Sequence, residues 1–299
     1  MSRRLLGIGD LTSAEIDAVL DRARVHSAGE SVSTVTGAVV GLAFFQTSLR
    51  TRIGFESAAH RLGARPVTVV DRRASEASLP ESIGDTVRVL SGYSDAVVVR
   101  ADRPAARTDA SVRLGAPWLN GGDGGAAAEH PSQTLIDLFA VERLVGPVNE
   151  LHVAITGDLR MRAARGLLRL LARRPPARLS VVSDGDLGLS DPVVLASGAA
   201  VVPSVRDLDS VDVLYAVGIP KGPGEAVRSR LRVDGRALET LTARGAVLSP
   251  LPIIDEIALS VRGDRRLRFF EQSDLGLFVR MALLEHVLSD PLLPTADGF

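Results

Sequence analysis

The sequence predicts an α/β protein built from two doubly wound parallel sheets. Short apolar runs alternate with segments of helical periodicity, which is typical of a parallel sheet covered by helices. The apolar run at residues 38–45 suits a buried strand, and residues 211–217 are a further strand candidate. The alternation occurs on each side of Gly146-Pro147, so we expect a boundary between two domains there.

The first half begins with a helix that carries its own start signal. Thr12 and Glu15 form a capping box, in which each side chain accepts a hydrogen bond from an N–H group of the first turn. Gly63 is predicted to end a second helix. The predicted elements are strands at residues 38–45, 67–70 and 96–100 and a helix at residues 51–62.

The second half repeats this pattern. Strands are predicted at residues 151–155, 179–182, 199–202 and 211–217, and helices at residues 161–173 and 275–288. The turn at Gly157-Asp158 lacks the glycine spacing of a dinucleotide site, so no such cofactor is expected. Asp255 and Glu256, which follow Pro252, are predicted to begin a helix rather than to form a catalytic carboxylate pair.

Composition excludes several classes of function. The 299 residues carry 35 Lys and Arg against 36 Asp and Glu, which argues against an extended nucleic-acid surface. There is no cysteine, and the five histidines lack the close spacing of a metal motif. The longest uncharged window, residues 31–49, has an apolar core too short to span a bilayer. Since the N-terminus shows no targeting signal, we expect a cytoplasmic protein with no membrane contact.

A candidate anion site lies where the first long strand passes into a helix. Ser48, Arg50 and Thr51 bring two hydroxyl groups and a guanidinium to the helix N-terminus. Free N–H groups and the positive end of the helix dipole favour a phosphate at such a position. The alternative is that Ser48 only caps the helix and Arg50 is solvated. The sequence leaves both interpretations open.

Two further residues are expected at the same edge of the sheet. Arg100 ends a strand, and His130 opens a helix after the glycine-rich loop 121–125. Ligands of open α/β sheets bind beyond the carboxyl ends of the strands, which is where both residues would lie. Each also has a simpler interpretation, as a solvated strand end for Arg100 and a loop or capping residue for His130.

Five motifs, in a fixed order, cover nearly the whole chain. They are residues 45–52 (Phe-Gln-Thr-Ser-Leu-Arg-Thr-Arg) with 60–64 (His-Arg-Leu-Gly-Ala), 130–138 (His-Pro-Ser-Gln-Thr-Leu-Ile-Asp-Leu), Gly157-Asp158-Leu159 with Arg162 and Arg165, Pro250-Leu251-Pro252 with Asp255-Glu256-Ile257, and 270–284. With these motifs the sequence resembles the aspartate/ornithine carbamoyltransferase family, and its aspartate branch in particular.

The resemblance implies a fold and a reaction. Residues 1–146, joined by a C-terminal helix at about residues 275–299, would bind carbamoyl phosphate, and residues 147–274 would bind the amino acid. The resemblance also implies a homotrimer, or a higher assembly of trimers, with active sites at subunit interfaces. In the implied acyl transfer, a neutral amine attacks the carbamoyl carbon and phosphate leaves, without a metal or a cofactor.

The resemblance also implies roles in carbamoyl phosphate binding. The residues that match the family's phosphate ligands are Ser48, Arg50, Thr51 and Arg100. His130, acting with Arg50 and Thr51, would polarise the carbamoyl carbonyl. These three would therefore be the catalytic residues, because donors aimed at the developing oxyanion supply most of the rate.

Other matches concern the amide group and the acceptor. The carbamoyl NH2 group would be held by Gln133 and by the backbone carbonyls of Pro250 and Leu251. Arg162 matches an arginine that binds the α-carboxylate of the amino acid.

Four departures from the family pattern concern the active site. Leu49 stands where the family has threonine or glycine, and Ser249 replaces a histidine. Residues 78–80 (Ser-Leu-Pro) replace a loop whose lysine reaches the neighbouring subunit's site. Gly218 and Pro220 replace the arginine and glutamine that would bind a carboxylate side chain. The carbamoyl phosphate half is mostly kept, whereas the aspartate side-chain half is largely changed.

Three functions fit these observations. The first, which the sequence favours, is a carbamoyltransferase whose acceptor amine is not L-aspartate, because a carboxylate side chain binds poorly without the arginine. The second is a non-catalytic or repurposed homolog that serves as a binding or assembly subunit, as Leu49 and the missing lysine suggest. The third is an aspartate carbamoyltransferase of pyrimidine synthesis in which Arg72 or Arg73 compensates for the changes.

Overall fold

Two five-stranded parallel sheets form the framework of the protein. The computed structural model describes residues 4–30, 35–70, 82–104 and 115–289. The chain divides into a first unit, Met1–Leu135 with Gly276–Phe299, and a second unit, Ile136–Leu275. Each unit contains one of the sheets. The predicted fold class, with two parallel sheets and helices, is confirmed.

The strands agree with the apolar runs over most of the chain. In the first unit they are β1 (Arg4–Leu5), β2 (Val39–Phe44), β3 (Arg65–Val70), β4 (Ala96–Arg100) and β5 (Trp118–Asn120). In the second they are β6 (His152–Thr156), β7 (Arg178–Val182), β8 (Ala200–Val201), β9 (Val211–Ala216) and β10 (Leu241–Leu248).

Helices lie between most pairs of consecutive strands. They are α1 (Ser13–Ser27), α2 (Leu49–Arg61), α3 (Ile83–Gly92), α4 (Pro131–Leu144), α5 (Arg162–Arg173), α6 (Pro192–Ala196), α7 (Glu225–Leu231), α8 (Gly235–Glu239) and α9 (Phe269–Leu288). The capping box predicted for α1 is confirmed, because Glu15 N donates to Thr12 Oγ1 at 3.2 Å and Thr12 N donates to Glu15 Oε2 at 2.8 Å.

The direction in which strands are added to the first sheet reverses between β2 and β4. Its strand order is β1-β5-β4-β2-β3, so the chain passes from β2 to β3 on one side and later to β4 on the other. Phe44 pairs with Arg100 in register, and Phe45 N donates to Arg100 O at 2.9 Å. The carboxyl ends of β2 and β4 therefore lie side by side. Such a switch point is the common ligand position of open α/β sheets.

The second sheet has the same design, with its switch point between β6 and β9. Its order is β10-β9-β6-β7-β8. Gly157, directly after β6, has φ +110°, and a Cβ atom there would lie 2.1 Å from Val217 O. Only glycine fits so close to the backbone that follows β9. The turns after β6, β9 and β10 thus share one edge of this sheet.

The C-terminal helix packs on the first unit. Glu285 of α9 accepts hydrogen bonds from Arg22 Nε at 2.5 Å and Arg22 Nη2 at 2.8 Å, and its Oε2 lies 2.8 Å from His26 Nε2. Both partners belong to α1. The helix begins at Phe269, six residues before the predicted start at residue 275, and so has more than one additional turn.

Some expectations differ from the structure. No helix begins at Asp255, since its carboxylate is paired with Arg228 and Arg232 in an irregular segment. Strand β10 was not predicted, because its first half is polar and partly exposed at the sheet edge. Residues 78–80, Arg72 and Arg73 lie outside the described residues.

The described residues contain neither a membrane-spanning helix nor a cluster of metal-ligating side chains. Every helix within residues 4–30, 35–70, 82–104 and 115–289 is too short or too polar to cross a lipid bilayer. In those same ranges, no three His, Asp or Glu side chains converge as a metal ion would require.

Candidate active site

Thr51 and His130 meet at the switch point of the first sheet. Thr51 lies in the first turn of α2, and His130 directly precedes α4. Thr51 Oγ1 is 3.3 Å from His130 Nε2, and Ser132 Oγ is 3.3 Å from His130 Nδ1. All three side chains are buried. The imidazole is therefore held between two hydroxyl groups beside two helix N-termini, where anions are stabilised.

The glycine-rich loop allows Arg100 to approach the same place. Arg100 is buried at the end of β4 and donates from Nη1 to Gly121 O at 3.0 Å. At Gly122, with φ +108°, a Cβ atom would lie 2.4 Å from Arg100 Nη1 and 3.3 Å from His130 Nε2. Asn120 Oδ1 fixes this loop by accepting a hydrogen bond from Gly122 N at 2.8 Å. Gly122 thus leaves room for both the guanidinium and the imidazole.

The surroundings of Ser48 and Leu49 help to distinguish an anion site at the start of α2 from a simple helix cap. Ser48 occupies the N-cap position of α2, yet its hydroxyl makes no capping hydrogen bond. Leu49 is 64% exposed and lines a cavity of about 470 Å³ together with Phe44, Ser48 and Val70. Its side chain therefore does not separate Thr51 from His130. Arg50 is exposed at the surface, and partial desolvation lowers the pKa of its guanidinium.

Arg280 is a cationic residue of this region that sequence reasoning did not assign. It is buried on α9, where its Nη1 would lie 2.6 Å from a Cβ atom at Gly54 and its Cζ lies 5.7 Å from the Phe55 ring centroid. Burial and the nearby charge of Arg50 lower the pKa of Arg280 to about 10, so it stays cationic at neutral pH. In the sequence, a single arginine within the otherwise apolar run 279–284 could have indicated a buried cation.

Gln133 and Arg162 each lie in the first turn of a helix. Gln133 follows His130 by three residues and is the one residue between Pro131 and Ala140 that is not buried. Arg162 is the first residue of α5 and is half-buried. The neighbouring arginines are held by carboxylates, since Arg160 pairs with Asp158 and Arg165 pairs with Asp191.

The turn after β9 is apolar around Gly218. A Cβ atom at Gly218 would lie 3.7 Å from both Met161 Sδ and Ile254 Cδ1. These two side chains are 37% and 62% exposed, respectively. The position therefore has apolar neighbours and open space beyond them.

Two arginines near this turn are paired with one carboxylate. Arg228 donates to Pro220 O at 2.7 Å and forms an ion pair with Asp255, and Arg232 Nη2 lies 2.8 Å from Asp255 Oδ2. Burial alone would raise the pKa of Asp255. The hydrogen bonds from Arg232 and Arg228 lower it by more than burial raises it, so the pKa lies below its usual value. The carboxylate stays ionised and neutralises part of the positive charge.

The loop that follows β10 carries Pro250 and Leu251. Leu251 has φ +56°, which is rare for a residue other than glycine. Ser249 is buried and its N–H donates to Gln272 Oε1 at 2.9 Å. The side chain of Gln272 thus determines where this loop begins.

The protein combines an α/β fold with a cluster of hydroxyl, imidazole and guanidinium groups at a sheet switch point. Residues 3–143 match the family model described as aspartate/ornithine carbamoyltransferase, carbamoyl-P binding domain. The chain is 33% identical over 301 residues to the aspartate carbamoyltransferase catalytic subunit of Archaeoglobus fulgidus, covering 96% of this chain and 100% of that protein. The chain therefore belongs to the aspartate/ornithine carbamoyltransferase family.

Two further comparisons extend along the whole chain. The aspartate carbamoyltransferase catalytic subunit of Halorubrum lacusprofundi is 37% identical, with 98% of this chain and 96% of that protein covered. The solved catalytic subunit of M. jannaschii aspartate transcarbamoylase superimposes with a TM-score of 0.83 at 29% identity, covering 97% of this chain and 99% of that one.

Proposed function

We propose that this chain transfers the carbamoyl group of carbamoyl phosphate to the amine of an amino acid other than L-aspartate. The observation that carries the proposal is the meeting of Thr51, His130 and Arg100 around Gly122. This arrangement puts a hydroxyl, an imidazole and a guanidinium at one point beside two helix N-termini. Such donors suit an acyl phosphate whose carbonyl oxygen gains negative charge during the reaction.

The first unit binds carbamoyl phosphate in this proposal. The phosphate is held by Ser48, Arg50, Thr51 and Arg100. Arg50, Thr51 and His130 polarise the carbamoyl carbonyl, because donors placed in advance around the oxyanion lower the barrier. The amine attacks the carbonyl carbon, the C–O bond to phosphate breaks, and the amine proton is lost to solvent or to the leaving phosphate.

The amide group and the acceptor are held by other residues. The side-chain carbonyl of Gln133 and the backbone carbonyls of Pro250 and Leu251 accept hydrogen bonds from the carbamoyl NH2 group. Arg162 binds the α-carboxylate of the acceptor. Fixing two reactants in one orientation supplies a further part of the rate.

The surroundings of Gly218 support an acceptor without a carboxylate side chain. Met161 and Ile254 flank this glycine at 3.7 Å, and the carboxylate of Asp255 pairs with the nearby Arg228 and Arg232. An anionic side chain would meet apolar atoms and arginines that are already paired, so its desolvation would not be repaid.

L-Aspartate is the second candidate acceptor. The proteins of Archaeoglobus fulgidus and Halorubrum lacusprofundi that match along nearly the whole chain are named aspartate carbamoyltransferases. These relatives are 33% and 37% identical to this chain, so L-aspartate is the reference with which every other acceptor is compared.

Phosphate release distinguishes these candidates. The purified protein is incubated with carbamoyl phosphate and, in separate reactions, L-aspartate, L-ornithine, apolar amino acids and simple amines. The proposal predicts acceptor-dependent release that is greatest with an uncharged side chain and is lost in Arg50→Ala. Greatest activity with L-aspartate would establish the second candidate. Folded protein that is inactive with every acceptor would leave the non-catalytic alternative.

We also propose that the chain forms a homotrimer, as the family resemblance implies. Light scattering on the eluted protein should give three times the chain mass of 31.6 kDa. A monomeric mass at micromolar concentration would contradict this part of the proposal.

A further inference from the structure

A buried carboxylate joins three residues of the second unit. Asp137 of α4 is fully buried and accepts a hydrogen bond from Tyr215 Oη of β9 at 2.7 Å. Its other oxygen accepts from Gln272 Nε2 of α9 at 2.6 Å. Burial, together with the charge and hydrogen bond of Asp137, raises the pKa of Tyr215 well above its usual value, so the hydroxyl remains a donor. A buried carboxylate with two such donors holds both partners firmly.

The amide of Gln272 can have only one orientation in this arrangement. Its Oε1 accepts a hydrogen bond from Ser249 N at 2.9 Å, which obliges Nε2 to face Asp137. Ser249 Oγ in turn accepts a hydrogen bond from Leu251 N at 3.3 Å. A continuous chain of hydrogen bonds therefore runs from Asp137 through Gln272 and Ser249 to the backbone of Leu251.

The end of this chain is a strained residue. Leu251 adopts φ +56°, and non-glycine residues keep such conformations only where the surroundings impose them, commonly at functional sites. Strand β10 ends at Leu248, so Pro250 and Leu251 lie in an irregular segment. The hydrogen-bonded chain is one constraint on this segment and therefore on the direction of its carbonyl groups.

We propose that Asp137, Gln272 and Ser249 are positioning residues that make the protein select carbamoyl phosphate over acyl phosphates without an NH2 group. This inference depends on the proposed function, in which the carbonyls of Pro250 and Leu251 accept hydrogen bonds from that group. Acetyl phosphate has a methyl group there, which leaves desolvated carbonyls without a donor. A carbonyl turned away from the NH2 group loses the discrimination but not the phosphate contacts.

The test compares the dissociation constants of carbamoyl phosphate, acetyl phosphate and inorganic phosphate by calorimetry. In Gln272→Glu, two carboxylates face one another, and in Ser249→Ala the bond to Leu251 N is lost. We expect each change to reduce the preference for carbamoyl over acetyl phosphate about tenfold, with inorganic phosphate affinity changed less than about twofold. Ser260→Ala, at an exposed position of the same unit, is the matched control.

A double variant separates positioning from general damage. Asp137→Asn combined with Gln272→Glu exchanges the amide and the carboxylate between the two positions. The amide introduced on α4 can then donate to the carboxylate introduced on α9, and the hydrogen bonds from Tyr215 and Ser249 can both be kept. We expect this double variant to recover most of the preference that Gln272→Glu loses. Tyr215→Phe, which preserves shape, should lower the preference less than Gln272→Glu.

The outcomes distinguish this inference from the proposed function. If the wild-type protein binds neither inorganic phosphate nor carbamoyl phosphate, the proposed function is wrong. If it binds all three ligands with no preference for carbamoyl phosphate, only the inference is wrong. The inference is also overturned if folded Gln272→Glu keeps the wild-type preference, or if inorganic phosphate affinity falls as much as carbamoyl phosphate affinity.

Discussion

The candidate anion site of the first unit and the Gly218 turn of the second unit differ in what their arginines contact. In the first unit, Arg100 donates to the neutral carbonyl of Gly121, beside the hydroxyl and imidazole of Thr51 and His130. In the second unit, Arg228 and Arg232 share the carboxylate of Asp255. The number of nearby arginines therefore does not define an anion site. What each guanidinium contacts decides whether it can serve a ligand.

The largest expected effect is at Gly122. In Gly122→Ala the new Cβ atom would overlap Arg100 Nη1 at 2.4 Å and disfavour φ +108°. Since donors around the oxyanion would be displaced, kcat/KM for carbamoyl phosphate should fall about 10²–10³-fold in steady-state assays. Gly9→Ala is the control, because a Cβ atom there meets nothing within 4 Å. A folded Gly122→Ala protein with nearly unchanged kcat/KM would remove the proposed role of this loop.

The second-largest effect is expected when an arginine is added to the Gly218 turn. Gly218→Arg adds a guanidinium at a position whose nearest side-chain atoms are 3.7 Å away. Because a charge-assisted hydrogen bond contributes about 1.5–3 kcal/mol, kcat/KM for L-aspartate should rise at least about tenfold relative to uncharged amino acids. Gly218→Met controls for side-chain size and should give no such gain. A wild-type protein that already prefers L-aspartate would contradict this prediction.

A smaller effect concerns stability and pH at Asp255. Its folded-state pKa is lowered, so its ionised form stabilises the protein above the unfolded pKa, and this contribution is lost as pH falls through the folded pKa. Asp255→Asn should lower the free energy of unfolding by about 1 kcal/mol at pH 7, since the pair is partly screened by solvent. Denaturant titrations at pH 7 and pH 3 should show the difference shrinking in acid. An equal difference at both pH values would count against the ion pairs.

The smallest effect is expected at Leu49. Its side chain is 64% exposed, so Leu49→Thr should change the free energy of unfolding by less than about 0.5 kcal/mol. We expect KM for carbamoyl phosphate to change less than about threefold, because Leu49 does not lie between Thr51 and His130. A much lower KM in Leu49→Thr would show that leucine obstructs the anion site.

Apolar runs predicted most of the strands, including the edge strands β3 and β8, but not β1, β5 and β10. Strand β4 is observed at the predicted residues 96–100, since both of its faces are covered. Strands β1 and β5 are only two and three residues long, which is too short for a periodic signal. The polar first half of β10 lacks the continuous apolar run on which the prediction depended.

The candidate site was predictable where it depended on strand ends and helix starts. The sequence placed Thr51, Arg100 and His130 at one sheet edge, and the structure brings Thr51 and His130 to 3.3 Å. Their catalytic roles stay predictions. Gly122 and Arg280 were missed because their importance comes from atoms distant in sequence, namely Arg100 for the first and Gly54 for the second. Only tertiary structure supplies such contacts.

The most direct test of the central claim is a calorimetric titration of carbamoyl phosphate into the wild-type protein and into Arg100→Ala. The account predicts saturable binding at one site per chain for the wild type, and binding weakened at least about tenfold in the folded variant, because a charge-assisted phosphate contact is lost. Binding of equal affinity by both proteins, or none by folded wild-type protein, would contradict it.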